Sequence, residues 1–202
     1  LENEGISVIY EDSITNIPAE CRLVIYSAAV PSDHSVIKIA KEKNIKLLNY
    51  FEALAVLANN NYLIAVSGTH GKSTTTALIG TILEDGGVDP TVVVGTLVGR
   101  WNSNFRKGES QYWVIEACEH FEHMNLFHPN IAVITSIEED HLDYYKELEN
   151  IKNAFQKFTD QTSQHLVIDT DTKTDYEIEH KSFSTFSLDN KESDINFLKS
   201  KI

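Results

Sequence analysis

The sequence is poor in cysteine, in positive charge and in long apolar runs. Its 202 residues include two cysteines, Cys21 and Cys118, far apart and in no C-x-x-C spacing. That spacing speaks against a disulfide or zinc framework and fits a reducing, cytoplasmic setting. Lysine and arginine total 17 against 30 aspartates and glutamates, a formal net charge of -13. Such a balance argues against nucleic acid or an anionic membrane as partner. Any phosphate must then be held by local geometry and a metal ion, not by an overall positive field. No apolar run approaches the roughly 18 residues of a membrane span, so no membrane insertion is expected. No signal-peptide pattern is visible. The chain opens on Leu1 and its single methionine is Met124, so a piece of a longer product or a processed form is expected. What is present is an apolar fraction of 42%, enough for a sizeable core.

The first sixty residues alternate between strand-like and helix-like patterns. Residues 6–10 (ISVIY) and 22–30 (RLVIYSAAV) are apolar, β-rich runs. Pro31, Ser32 and Asp33 supply a stop and a cap, and residues 35–44 place Val36, Ile39 and Ala40 at helical spacing. Residues 45–49 predict the next strand and 50–60 the next helix. A second unit begins near Asn61. It opens with a buried-type strand at 62–67, a loop, and a helix from Lys72 to Asp85 closed by Gly86 and Gly87. Further strands are predicted at 91–95, 111–117, 130–136, 165–169 and 182–187. Residues 146–161 carry Leu148, Ile151, Ala154, Phe155 and Phe158 as a helical stripe, and 169–181 read as polar and exposed. This alternation predicts an α/β fold, a parallel sheet with helices on both faces, divided into residues 1–60 and 61–202.

Between the strand at 62–67 and its helix lies Gly68-Thr69-His70-Gly71-Lys72-Ser73-Thr74. The general phosphate-loop pattern G-x-x-x-x-G-K-S/T requires glycine where Val66 stands, so the long pattern fails while its core is present. Gly68 and Gly71 permit strained backbone angles and close approach. Lys72 can reach outer phosphates as a point charge. Ser73 can offer its hydroxyl to Mg²⁺, and the helix dipole points its positive end at an anion. The plainer alternative is a turn whose serine and threonines only cap a helix.

Three segments together resemble the Mur ligase family. SGTHGKSTTT (67–76) is similar to the family's ATP loop, G-T-x-G-K-S/T-T. Residues 112–145 resemble its second motif: a strand ending in Glu-Ala, a helix, a strand, then Asp-His-x-Asp, here Asp140 to Asp143. Residues 24–55 are similar to the end of its UDP-substrate domain. His70, and Glu-Ala-Cys-Glu followed by Asp-His-Leu-Asp-Tyr-Tyr, suit the L-alanine-adding branch best. The resemblance implies that residues 1–60 are the C-terminal part of a Rossmann-like UDP-substrate-binding domain. It implies that 61–202 are an incomplete central ATP-binding domain with a P-loop sheet. The family's glycine-rich opening, its G-x-H-N-x-x-N segment and its C-terminal amino-acid domain have no match in the sequence.

The implied reaction uses ATP and Mg²⁺ to join L-alanine to UDP-N-acetylmuramate through an acyl phosphate. The implied catalytic residues are Lys72, Glu116 and His141. Gly68, Thr69, His70, Gly71, Lys72, Ser73 and Thr74 would hold the nucleotide. Ser73, Glu116 and His141 would hold magnesium, and His70 and Asn104 would meet the UDP-sugar. Chemistry alone supports these unevenly. Glu116 ends a buried strand beside the crevice expected of an open parallel sheet, and its oxygens suit magnesium; pairing with a nearby cation is the alternative. Histidine is a poor match for a hard ion, so His141 rests on the resemblance. Asp140 and Asp143 either orient His141 or cap the helix that follows. His70 either contacts substrate or faces solvent. Arg100, Arg106 and Lys107 form a basic island that either meets the diphosphate or is solvated, and Glu119 could support Glu116. Outside this reading stand a noncatalytic Mg-ATP-binding fragment, a murein-peptide ligase or folylpolyglutamate synthase, and a P-loop switch or kinase. The oligomeric state is not read from the sequence.

Overall fold

The computed structural model describes residues 5–9, 16–27, 29–138, 145, 147–187 and 192–196. The chain divides into two compact units, Leu1–Leu54 and Ala55–Ile202.

In the first unit, β1 (Leu23–Tyr26) and β2 (Lys46–Asn49) pair in parallel, with Leu23 opposite Lys46 and Tyr26 opposite Asn49. Parallel neighbours need a crossover, and α1 (Ser35–Glu42) supplies it. Its buried residues are Ile37 and Ala40, with Val36 and Ile39 half-buried beside them. The cap is His34, whose Nδ1 accepts from the Val36 N–H at 3.3 Å, rather than the expected Ser32 or Asp33. Residues 6–9, expected as a strand, form none. A helix, α2 (Tyr50–Ala58), follows and spans the division between the units.

The second unit is built on one eight-stranded sheet of order β10-β9-β8-β7-β3-β6-β4-β5. Its elements, in chain order, are β3 (Tyr62–Ser67), α3 (Lys72–Asp85), β4 (Thr91–Val98), β5 (Ser103–Arg106), β6 (Tyr112–Glu116), a 3₁₀ helix (His120–Leu126) and β7 (Ile131–Ile134). Then come α4 (Leu148–Asp160), β8 (His165–Asp169), α5 (Thr170–Asp175), β9 (Phe183–Ser187) and β10 (Ile195–Asn196). All pairs are parallel except β4 with the edge strand β5. The central strands are apolar because both of their faces are covered: Leu63, Ala65, Val66, Val92, Val114, Ile115, Ala132, Ile134, Leu166 and Ile168 are all fully buried. The α4 stripe buries Ile151, Ala154, Phe155 and Phe158, whereas Leu148 stays exposed. Residues 169–181 are not the uniformly exposed segment expected: they hold α5 and bury Thr172 and Ile178.

Two consequences position the site. The strand order reverses at β3, with β6, β4 and β5 on one side and β7 to β10 on the other. Register also aligns the strand ends there: Val66 lies opposite Glu116, and Ser67 opposite Ile134. The C-terminal ends of β3, β6 and β7 therefore meet at one crevice, where open α/β sheets place their ligands.

Candidate nucleotide site

The loop after β3 bends sharply because two glycines take left-handed backbone angles, φ 132° at Gly68 and 82° at Gly71. Space is as restrictive as angle at Gly68. A Cβ there would lie 2.3 Å from Thr135 Oγ1 and 2.8 Å from the Ser136 carbonyl oxygen. The two residues after β7 hold the loop from beneath. The Thr69 N–H donates to the Ser136 carbonyl at 2.8 Å, the His70 N–H donates to Ser136 Oγ at 3.2 Å, and the Thr135 hydroxyl donates to the Ser67 carbonyl at 3.2 Å. On the far side the Glu138 N–H donates to Thr69 Oγ1 at 2.9 Å. Thr135, Ser136 and Glu138 carry none of the expected roles, yet they fix the loop. Their only sequence cue is a pair of hydroxyls directly after an apolar strand.

Gly71 caps α3 without a side chain, so no side-chain acceptor occupies the helix N-terminus. The first amide hydrogens of a helix have no intrahelical acceptors, and their aligned dipoles favour an anion. This N-terminus opens on a cavity of about 290 Å³ lined by Thr69, His70, Gly71, Lys72, Ser73, Thr74 and Glu116. A larger cavity of about 510 Å³, bordered by Asp160, Lys173 and His180, contains none of the expected site residues.

Glu116 is half-buried at the end of β6, and its Oε2 accepts from the Gly95 N–H at 2.6 Å. Ser73 and Glu116 thus offer a hydroxyl and a carboxylate to one cavity, an oxygen donor set suited to Mg²⁺. That ion needs only one or two protein ligands when phosphate oxygens complete its shell. Among the described residues no three His, Cys, Asp or Glu side chains converge on one point. His141, Asp140 and Asp143 lie outside the described residues.

Lys72 lines the cavity, but its ammonium is held by groups of the protein. Its ammonium donates to the Gly68 carbonyl at 2.5 Å and the Thr69 carbonyl at 3.0 Å, and it meets both Glu119 oxygens at 3.0 and 2.9 Å. Glu119 is thus tied to Lys72 and is not among the residues that line the cavity. Next to it, burial pushes the Cys118 thiol up and the Glu119 charge adds to the shift, which disfavours the thiolate.

The remaining expected residues fall further out. His70 lines the cavity but is 69% exposed, 3.6 Å from the Glu138 carboxylate. Asn104 is exposed on the edge strand β5 and does not line the cavity. Arg100 and Arg106 of the basic island are neutralised at the opposite end of α3, and Lys107 by its near neighbour Glu109. Arg100 pairs with Glu84 at 2.9 Å and Asp85 at 2.5 Å, Arg106 with Glu84 at 3.1 Å and Asp89 at 2.7 Å, and Lys107 with Glu109 at 2.9 Å. The 14 residues of α3 set that end about 20 Å from the loop.

Comparison with known proteins gives this arrangement a setting. The profile of the Mur ligase middle domain matches residues 66–201, and that of the Mur ligase family, catalytic domain, matches residues 1–62. A UDP-N-acetylmuramate–L-alanine ligase of Clostridium botulinum is 43% identical over 159 residues, covering 78% of this chain and 34% of the relative. One of Caldicellulosiruptor bescii is 40% identical over 176 residues, covering 86% and 38%. Among solved structures, UDP-N-acetylmuramate-alanine ligase MurC from Thermotoga maritima superposes with a TM-score of 0.73 at 28% identity, covering 84% of this chain and 39% of that one. The chain spans about a third of the length of the curated relatives it matches. Among the described residues no helix is long and apolar enough to cross a membrane.

Proposed function

This chain belongs to the Mur ligase family, and from that premise we propose that it binds Mg-ATP for a ligase joining L-alanine to UDP-N-acetylmuramate in peptidoglycan precursor synthesis. Residues 61–202 are assigned to the ATP-binding domain and 1–60 to the UDP-substrate domain, with a cytoplasmic location. The observation that carries the reading is a single cavity walled by the glycine-lysine loop on one side and by Glu116 on the other. The names of the relatives supply the substrates.

In this reading the carboxylate of UDP-N-acetylmuramate attacks the γ-phosphorus of ATP and ADP leaves. The L-alanine amine then attacks the acyl carbon and phosphate leaves. The first step crowds negative groups, so catalysis consists of positioning and charge stabilisation. The N-terminal amides of α3 receive the phosphates, and Lys72 supplies a positive charge to the outer ones. Ser73 and Glu116 would hold Mg²⁺, which when bound would offset part of the charge of the triphosphate. His141 is assigned to a second magnesium and His70 and Asn104 to the UDP-sugar, on the motifs that contain them.

The test is phosphate release from ATP, measured with each substrate omitted in turn. Release that needs both UDP-N-acetylmuramate and L-alanine supports the ligase. Mg-ATP binding with no release leaves this chain the binding role alone, and phosphorylation of an acceptor without release would mark a kinase. Lys72→Ala abolishes ATP binding in this reading; normal affinity in that variant removes the loop from the site.

A further inference from the structure

The lysine expected to meet phosphate is already occupied. Its three donor hydrogens are matched by three acceptor groups of the protein, the Gly68 and Thr69 carbonyls and the Glu119 carboxylate. Both partners of the ion pair are nearly buried, with side chains 14% and 6% exposed. A pair this shielded from water is not weakened as a surface pair is.

The surroundings hold Glu119 in this place. Its backbone carbonyl accepts a hydrogen bond from the hydroxyl of Tyr145, itself buried ahead of α4. The two residues that follow His120 take left-handed angles although neither is glycine: Phe121 has φ 54° and Glu122 φ 55°. Such angles persist only where the surroundings over-determine them. The Met124 N–H closes the turn on the Cys118 carbonyl at 2.8 Å, and the Lys157 ammonium lies 3.8 Å from Glu122. Glu119 is therefore presented to Lys72 by a constrained turn, not by a mobile tail.

We propose that Glu119 is a positioning residue that parks Lys72 against the phosphate loop, and that the outer phosphates of a nucleotide must displace it. The inference rests on the loop being a nucleotide site. The competition is between like charges. A triphosphate approaching the α3 N-terminus meets Glu116 on the cavity wall and finds the one lysine of the loop already neutralised. Metal-free nucleotide is repelled by this arrangement, whereas Mg-ATP brings its own compensating charge. Parking thus biases the site toward the metal complex before any metal contact with Glu119 is invoked. A site whose competent state is populated for a fraction of the time binds its ligand weaker by that fraction. Lysine parked about nine-tenths of the time lowers affinity about tenfold.

Two measurements on the full 202-residue chain test this. The first titrates ATP calorimetrically, with EDTA and with excess Mg²⁺, into the wild type and Glu119→Gln, which keeps size and hydrogen bonding but removes the charge. Glu119→Gln is expected to bind Mg-ATP about tenfold tighter, because the parking cost is gone, and metal-free ATP tighter by more than that, because the repelling carboxylate is gone too, narrowing the gap between the two ligands. A purely structural role would weaken both or neither. The second needs no variant. A water-soluble carbodiimide links a carboxylate and an amine in contact as an amide, itself hydrating to the urea. The Lys72–Glu119 crosslink, read by peptide mass spectrometry, is expected without nucleotide and lost at saturating Mg-ATP. A crosslink that persists at saturation, or a Glu119→Gln chain that binds metal-free ATP no tighter, overturns the proposal while leaving the nucleotide site standing. A wild type that binds ATP in neither condition overturns the site, and the proposal with it.

Discussion

Glu116 and Gly95 are joined across neighbouring strands. The carboxylate accepts from the Gly95 N–H at 2.6 Å, and a Cβ on residue 95 would lie 2.8 Å from its other oxygen. The place of Glu116 at the cavity thus depends on a residue within β4 having no side chain. Gly95→Ala is allowed by the backbone, so it should displace the carboxylate without unfolding β4. Mg-ATP affinity is expected to fall about tenfold, about 1.4 kcal/mol, with metal-free ATP binding nearly unchanged. Calorimetry in both conditions checks this, and equal losses in the two would show that Glu116 does not act through the metal.

The bend itself tolerates less. Gly68→Ala meets both an unfavourable φ and two oxygens of Thr135 and Ser136 inside contact distance. Relief requires β3 and the segment after β7 to separate. The expected cost is about 3 kcal/mol, a drop of about 6–12 °C in melting temperature by calorimetry. A melting temperature within a degree of the wild type would mean that the loop relaxes freely.

These two glycines show what the sequence discloses and what it hides. The bend was legible because its parts are contiguous: an apolar strand, two glycines, a lysine and a helix whose bounds are Lys72–Asp85 as read. The α4 stripe was legible for the same reason, its period being local. Gly95 was not, because its role is set by Glu116, twenty-one residues on and one strand across. Thr135 and Ser136 likewise matter only once β7 lies beside β3, a pairing no local pattern announces. In residues 169–181 a polar composition concealed Thr172 and Ile178, which face inward from a short helix and the turn after it.

Arg106 illustrates a misleading cue. In sequence it joins a basic island suited to a diphosphate, but the β4–β5 hairpin delivers it to the acidic end of α3. Arg106→Ala should therefore lower the melting temperature by about 4 °C while leaving ATP affinity within twofold. Parallel melting and titration of the variant separate the two effects. A large loss of ATP affinity with an unchanged melting temperature would restore the diphosphate role.

Glu84 gives that end of α3 its pH dependence. A carboxylate in the last turn of a helix faces the negative end of the dipole and is unfavourable unless compensated. Here the Trp101 indole N–H donates to it at 2.9 Å, and Arg106 and Arg100 approach at 3.1 and 2.9 Å. The Trp101 hydrogen bond foremost, then the arginines, hold its pKa below the ordinary glutamate value against a partial desolvation. A depressed folded pKa means that the unfolded chain binds the proton first. The stabilisation is then complete above the unfolded value, about 4.3, and fades as pH falls through the lower folded one. Glu84→Gln should melt below the wild type at pH 7, and the gap should close as pH is lowered toward 3. The comparison is a pair of melting curves at each pH in one buffer series. A gap that stays constant across that range would assign the loss to shape and hydrogen bonding at Trp101, leaving the charge of Glu84 with no part in holding the hairpin to the helix.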